Sequence, residues 1–215
     1  MILEQCPMYK LYGDLGSGAA AVELTLCELG IDYQYEHVSL SNNQQKTAEF
    51  AQLNPQRKIP ALICPDGSII TESVAIILWL METHPEKPLL PVIGSRERAT
   101  ALRWLIFICA ELYQLVEIID YPERFLPQGA DPESILNKTI EYWRKRWQLM
   151  DQNIKGPYLL GKEFCVTDIY IAVVSRWAEQ DNWRPDNIKN VENIAKLVAT
   201  RPLCKNIWAK NFIYD

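Results

Sequence analysis

Histidine is nearly missing from the 215 residues: only His37 and His84 occur. A histidine-built zinc site or a Ser-His-Asp relay therefore has little to draw on, and no metal is expected. The six cysteines (Cys6, Cys27, Cys64, Cys109, Cys165, Cys204) form no CxxC pair and no metal-ligand spacing. Four of them lie in apolar stretches, where a thiol behaves as a small hydrophobe. Long apolar runs are lacking too. The longest uncharged one, Val74 to Met81, has eight residues, against roughly 18 to 20 for a helix that crosses a bilayer. The stretch MILEQCPMYK carries Glu4 where a secretion signal is positive, and no apolar core follows, so a cytoplasmic chain without a membrane span is expected. There is no basic block, and the net charge of −5 speaks against nucleic acid as a partner.

What is present is a globular composition, 48% hydrophobic and 23% charged, which excludes disordered and fibrous classes. The charge is uneven. Residues 1–82 carry four Lys/Arg against ten Asp/Glu, whereas residues 83–215 carry eighteen against seventeen. Three of the four cations of the acidic part, Lys46, Arg57 and Lys58, fall within thirteen residues. That local positive spot suits a small anion better than a polyanion.

The pattern of elements changes at the same place. Tyr9 to Tyr12 has strand character, Gly13 to Gly18 is a flexible break, and Ala19 to Leu29 reads as a helix closed by Gly30. Asp32 to Leu40 reads as a second strand, which a helical crossover makes parallel to the first. A short helical turn over Thr47 to Leu53, a hairpin around Pro65-Asp66-Gly67 and a helix from Ser73 to Thr83 complete an α/β domain over 1–82. Residues 83–95, with three prolines, read as a linker. Residues 96–215 read as an all-α domain. Its helices include a long one from Arg96 to about Tyr121, and one over Pro132 to Ile154 whose Leu136, Ile140, Trp143, Trp147, Met150 and Ile154 form a single apolar stripe.

Three local signals in the first domain carry chemistry. Gly16-Ser17-Gly18 sets a hydroxyl between glycines at a helix start, where an anion is favoured; a simple N-cap role for Ser17 is the alternative. Asn54-Pro55-Gln56-Arg57-Lys58-Ile59-Pro60-Ala61-Leu62 places Pro60 before a strand, where a cis bond would turn Ile59's backbone toward an extended peptide. Glu72-Ser73 puts an acid and a hydroxyl at a helix N-terminus, a pair that matches an α-amino acid head group.

NPxxKIPAL followed by ESxAI resembles the cytosolic glutathione transferase family, and the likeness covers nearly the whole chain. It implies a thioredoxin-like α/β domain followed by an all-α helical domain, a homodimer, and a chain that activates glutathione for attack on a hydrophobic electrophile, as in detoxification. It further implies that Ile59, before a cis Pro60, pairs with the cysteinyl backbone of glutathione. Glu72 and Ser73 would take the γ-glutamyl end, and Lys58 with Gln45 or Lys46 the glycyl carboxylate. Ser17 falls where the serine-type, theta-like members keep their activating hydroxyl, with Tyr12 and Tyr9 as lesser candidates. Arg57 stands where many members have glycine. The isomerase-type SSCS signature and a loop cysteine are both missing, and Cys165 replaces the Ser/Thr helix cap three residues before Asp168. On the long helix, Trp104, Phe107, Ile108 and Glu111 are spaced to line an electrophile cleft between the domains, or equally to form core. Reductive dehalogenation, peroxide reduction, isomerisation, and a non-catalytic interaction module are the alternative functions.

Overall fold

A computed structural model describes residues 8–178 and 183–212; Glu4 and Cys6 lie outside them. The described residues form two compact units, one of residues up to Leu89 together with those from Ala199 onward, the other from Leu90 to Val198.

In the first unit, β1 (Tyr9–Gly13), α1 (Ala19–Leu29) and β2 (Tyr33–His37) make the expected crossover unit, with β1 and β2 parallel from Tyr9 opposite Tyr33 to Gly13 opposite His37. The helical turn α2 (Phe50–Leu53) leads to β3 (Ala61–Ile63), β4 (Ile69–Thr71) and α3 (Ser73–Thr83). β3 runs antiparallel to both β1 and β4, and the sheet order is β2-β1-β3-β4. Gly30 caps α1 in the left-handed conformation (φ 67°), donating to the carbonyls of Cys27 and Leu26. Gly13 has a different reason to be glycine. A Cβ there would lie 2.1 Å from the Cβ of Ala19, so only its hydrogen lets β1 turn back under α1.

α1 is buried on almost every side, including Glu23 and Glu28, which are 1% and 7% exposed. Two carboxylates taken from water need partners, and the far end of the chain supplies them. Arg201 grips Glu28 through Nε and Nη2, both at 2.7 Å, and the Cys204 thiol donates to the same carboxylate at 3.1 Å. Lys210 Nζ reaches Glu23 at 3.1 Å from the last helix, Lys205–Asn211. The sequence pattern puts residues 96–215 in one helical domain. In the structure the described residues from Ala199 onward join the first unit instead, because α1's buried acids draw that segment onto it.

The second unit is helical. α4 (Arg96–Phe107), a π-helical turn (Ile108–Leu112) and α5 (Tyr113–Asp120) run on from one another, as the single long helix read from the sequence requires. α6 (Glu133–Asp151) buries Trp143, Trp147 and Met150 completely, on the stripe its spacing defines. α7 (Val166–Val174) is buried along its whole length, and α8 (Trp183–Asn187) and α9 (Lys189–Thr200) follow, with the last helix, α10 (Lys205–Asn211), in the first unit. Cys165 does serve at the start of α7. The Asp168 carboxylate accepts from the N–H groups of Cys165 and Leu159, both at 2.8 Å, and the Cys165 sulfur faces the Asp168 amide in return. Thr167 does not substitute as the cap; its hydroxyl donates to the Ala101 carbonyl at 3.2 Å.

Candidate functional site

Strand register gathers the sequence signals at one end of the sheet. Gly13 at the end of β1 lies opposite His37 at the end of β2, Tyr12 opposite Ala61 at the start of β3, and Ala61 opposite Thr71 at the end of β4. The segments that extend beyond these pairs are the 14–18 loop, the 38–46 loop, Ile59-Pro60 and Glu72-Ser73. They therefore share one edge of the first unit.

The 14–18 segment is an ordered loop, not a loose one. Ser17 Oγ, half-buried, donates to the Asp14 carbonyl at 2.6 Å and accepts from the Ala19 N–H at 3.2 Å. Its hydroxyl thus serves the loop's own backbone, but the N-cap position of α1 is Gly18, with no side-chain cap bond, so Ser17 does not N-cap the helix. α1 has no acidic or basic side chain in its first turn, so nothing offsets the partial positive charge of its N-terminus. Asp14 ties this loop to the next one. Its carboxylate accepts from the Leu15 N–H at 2.9 Å, His37 Nε2 at 2.8 Å and the Leu40 N–H at 2.8 Å. Burial pushes the Asp14 carboxyl up, but the three hydrogen bonds outweigh it and hold the group below the usual carboxylate range.

The Ile59-Pro60 bond is cis. Asn54 shapes the approach to it, with Nδ2 donating to the Lys58 carbonyl at 2.7 Å and Oδ1 accepting from the Gln56 N–H at 3.0 Å. Arg57 has a positive φ of 56°, the reason glycine suits that position. Its guanidinium donates to the Lys46 carbonyl at 2.6 Å, so of the three clustered cations Arg57 binds backbone, while Lys46 and Lys58 are exposed. Gln45 is buried, and its Oε1 accepts no hydrogen bond among the described residues. Val38, Phe50 and Ile59 form a small apolar cluster beneath, with Tyr12, Leu40 and Leu53 packed against it.

Glu72 is exposed and holds φ 67°, ψ 113° at the N-cap of α3, with Ser73 buried behind it. A non-glycine residue in that region costs about 1–3 kcal/mol and marks a place the surroundings hold for a purpose. The two tyrosines are placed differently. Tyr9 begins β1, at the other end from Gly13, and its hydroxyl meets His84 Nε2 at 3.0 Å. Tyr12 packs edge-on to Phe50.

The candidates on the long helix of the second unit divide. Trp104 and Ile108 are 4% and 0% exposed, so their spacing serves that unit's core. Phe107 and Trp104 lie under the Arg103 guanidinium, 5.2 and 3.6 Å from it, and Glu111 pairs with Arg146 Nε at 2.6 Å. Among the described residues no group of three or more His, Cys, Asp or Glu side chains could hold a metal ion, and no helix is long and apolar enough to cross a membrane.

Residues 19–83 match the family model of the glutathione S-transferase N-terminal domain. An uncharacterised GST-like protein of Escherichia coli K12, YncG, is 30% identical over 96% of this chain and 100% of its own. The chain belongs to the glutathione S-transferase family. A probable maleylacetoacetate isomerase of Caenorhabditis elegans is 43% identical, over 84% of this chain and 83% of that protein. The fold is also that of a glutathione transferase homologue from Sulfitobacter solved with bound glutathione, at a TM-score of 0.88 and 21% identity, covering 95% of this chain and 99% of that one. The glutathione S-transferase match begins two residues after Ser17, so the loop that carries the hydroxyl has to be judged on its own geometry. Asn54 and Asp14 brace this edge, and Arg57 ties to the Lys46 carbonyl, bonds that the motifs did not foretell. Asn54 and Arg57 sat within the quoted NPxxKIPAL stretch, whereas nothing local in the sequence signalled Asp14.

Proposed function

We propose that this chain binds glutathione along the shared edge of its first unit and uses the Ser17 hydroxyl to hold the cysteinyl sulfur as thiolate, for attack on a hydrophobic electrophile. The observation that carries this reading is the convergence of Ser17, cis Ile59-Pro60 and Glu72-Ser73 at one end of the sheet. Ile59 would pair with the cysteinyl backbone, Glu72 and Ser73 would hold the γ-glutamyl amine and carboxylate, and Lys46 and Lys58 the glycyl carboxylate. The thiolate forms a carbon–sulfur bond, the leaving group departs with its electron pair, and the thiol proton goes to solvent.

The magnitude is modest. A free thiol near pKa 8.5 is a few per cent thiolate at pH 7. Hydrogen bonds to charged groups contribute about 1.5–3 kcal/mol, but Ser17 must give up its bond to the Asp14 carbonyl, a neutral one of about 1 kcal/mol. The net gain of about 0.5–2 kcal/mol lowers the thiol pKa by about half a unit to one and a half units. The unopposed N-terminus of α1 adds in the same direction.

The experiment is ultraviolet thiolate absorbance of bound glutathione against pH for wild type and Ser17→Ala. A depressed pKa that returns toward the free value in Ser17→Ala supports serine activation. A pKa that stays depressed assigns activation to another group, and no binding at all leaves a protein-interaction module. The likeness to a probable maleylacetoacetate isomerase favours a second reading with the same thiolate: addition to a conjugated double bond, rotation, and elimination that returns glutathione. Thiol consumption separates the two, since conjugation removes glutathione mole for mole and isomerisation leaves its amount unchanged.

A further inference from the structure

Glu23 lies deep in α1, and the groups around it reach the loop of Ser17. Glu23 Oε1 accepts from the Tyr33 hydroxyl at 3.0 Å and from Lys210 Nζ at 3.1 Å. Its Oε2 accepts from Asn211 Nδ2 at 3.4 Å, and that same Nδ2 donates to the Ile207 carbonyl one turn back at 2.9 Å. With its nitrogen held on both sides, the Asn211 amide presents its oxygen in one direction only. There it accepts the Gly16 N–H at 3.0 Å. Gly16 adopts φ +68°, a conformation open to glycine but one of several it can take, so a hydrogen bond is needed to select it. Other bonds of the loop are made at its start, through Asp14 to Leu15, His37 and Leu40, or locally, between Ser17 and Asp14 and from the Ala19 N–H to Ser17 Oγ. Asn211 anchors the middle of the loop from 195 residues away.

We propose that Asn211 is a positioning residue for thiol activation: by fixing the Gly16 peptide it sets the direction in which the Ser17 hydroxyl points, so the last helix of the chain tunes the chemistry at the first loop. This inference rests on the glutathione reading above and names a residue that acts through Ser17 without touching the ligand.

The test uses the full chain with Asn211→Ala, which removes the acceptor, and Asn211→Gln, which keeps an amide oxygen for Gly16 and an amide donor for Glu23. Lys210→Met is the control, since it removes a cation from Glu23 and leaves the Gly16 bond in place. Bound-glutathione thiolate absorbance and the pH dependence of kcat/KM are read for each, beside Ser17→Ala. Asn211→Ala is expected to raise the bound thiol pKa by about one unit and lower kcat/KM at pH 7 about tenfold. Asn211→Gln should recover part of this, and Lys210→Met should lower the melting temperature without moving the pH profile. The inference is overturned if Asn211→Ala leaves the pH profile in place, or if Lys210→Met shifts it equally. Should Asn211→Ala not fold, Asn211→Ser carries the same expectation and the same refutation. A wild-type pKa in Ser17→Ala would overturn the serine assignment and, with it, the Asn211 inference that acts through it; a raised pKa in Ser17→Ala with none in Asn211→Ala would overturn the Asn211 inference alone.

Discussion

The Asp14 carboxylate accepts the Leu40 N–H at 2.8 Å, joining the loop that carries Ser17 to the loop that carries Lys46. Both loops lead away from the same end of the parallel pair β1 and β2. One side chain therefore bridges the two loops, beside the bond from the Val38 N–H to the Gly13 carbonyl at 2.8 Å.

Replacing Asp14 with alanine removes acceptors from the Leu15 and Leu40 amides and from His37, and is expected to cost about 1–3 kcal/mol and to weaken glutathione binding severalfold in a calorimetric titration. The pH dependence follows from the lowered carboxyl. Asp14's contribution is present above its unfolded value, near 3.9, and is lost as pH falls through its lower folded value. Urea denaturation from pH 7 downward should show wild type and Asp14→Ala well separated at pH 7, with the gap closing below about pH 4. A gap independent of pH would contradict the ionic role.

Arg201 is the bidentate partner of Glu28, whose side chain is 4% exposed against 26% for the arginine. Burial pushes the Glu28 carboxyl up, and the bonds from Arg201 and Cys204 overcome this and bring it below the usual range. Arg201→Met leaves the acid buried and unpaired. The expected loss is about 2–3 kcal/mol at pH 7, less than the loss for a fully buried pair because Arg201 is partly wet. The sign is that of a lowered acid, so the loss shrinks as Glu28 protonates below about pH 4. Equal stabilities at pH 7 would show that the C-terminal segment is not held by this pair.

At the start of α7, Cys165→Ser supplies the oxygen acceptor that helix N-termini favour and should raise stability by up to about 1 kcal/mol. Cys165→Ala, which removes the arm facing the Asp168 amide, should lower it by about 0.5–1 kcal/mol. Thermal unfolding of the two variants decides the point, and a serine variant less stable than the alanine one would mean that sulfur packing outweighs capping. Burial and the neighbouring Asp168 carboxylate push the Cys165 thiol well up, so it should also stay unmodified by a thiol reagent at neutral pH.

Much of the first unit was legible along the chain because its signals are local. The bounds of α1 follow from a glycine-flanked apolar run closed by Gly30, the parallel pairing of β1 and β2 from the crossover, and the turn of β3 into β4 from Pro65-Asp66-Gly67. The stripe of α6 was equally plain, since a buried face repeats at the period of the helix. Trp104 and Ile108 show where that logic stops. A residue facing a core and one facing a cleft have the same helical spacing, and only packing assigns both of these to the core.

The sequence by itself determined the elements, the family motifs and the residues from which a glutathione site would be built, because each depends on neighbours a few residues away. Tertiary structure decided what those residues are bonded to. Ser17's hydroxyl answers to Asp14, Arg57 to the Lys46 carbonyl, and the loop's centre to Asn211. It also decided that the end of the chain belongs with its beginning. Glu23 and Glu28 look like ordinary surface acids on a short helix until that helix is buried, and buried acids must find cations and donors wherever the fold can bring them, here 173 to 188 residues away.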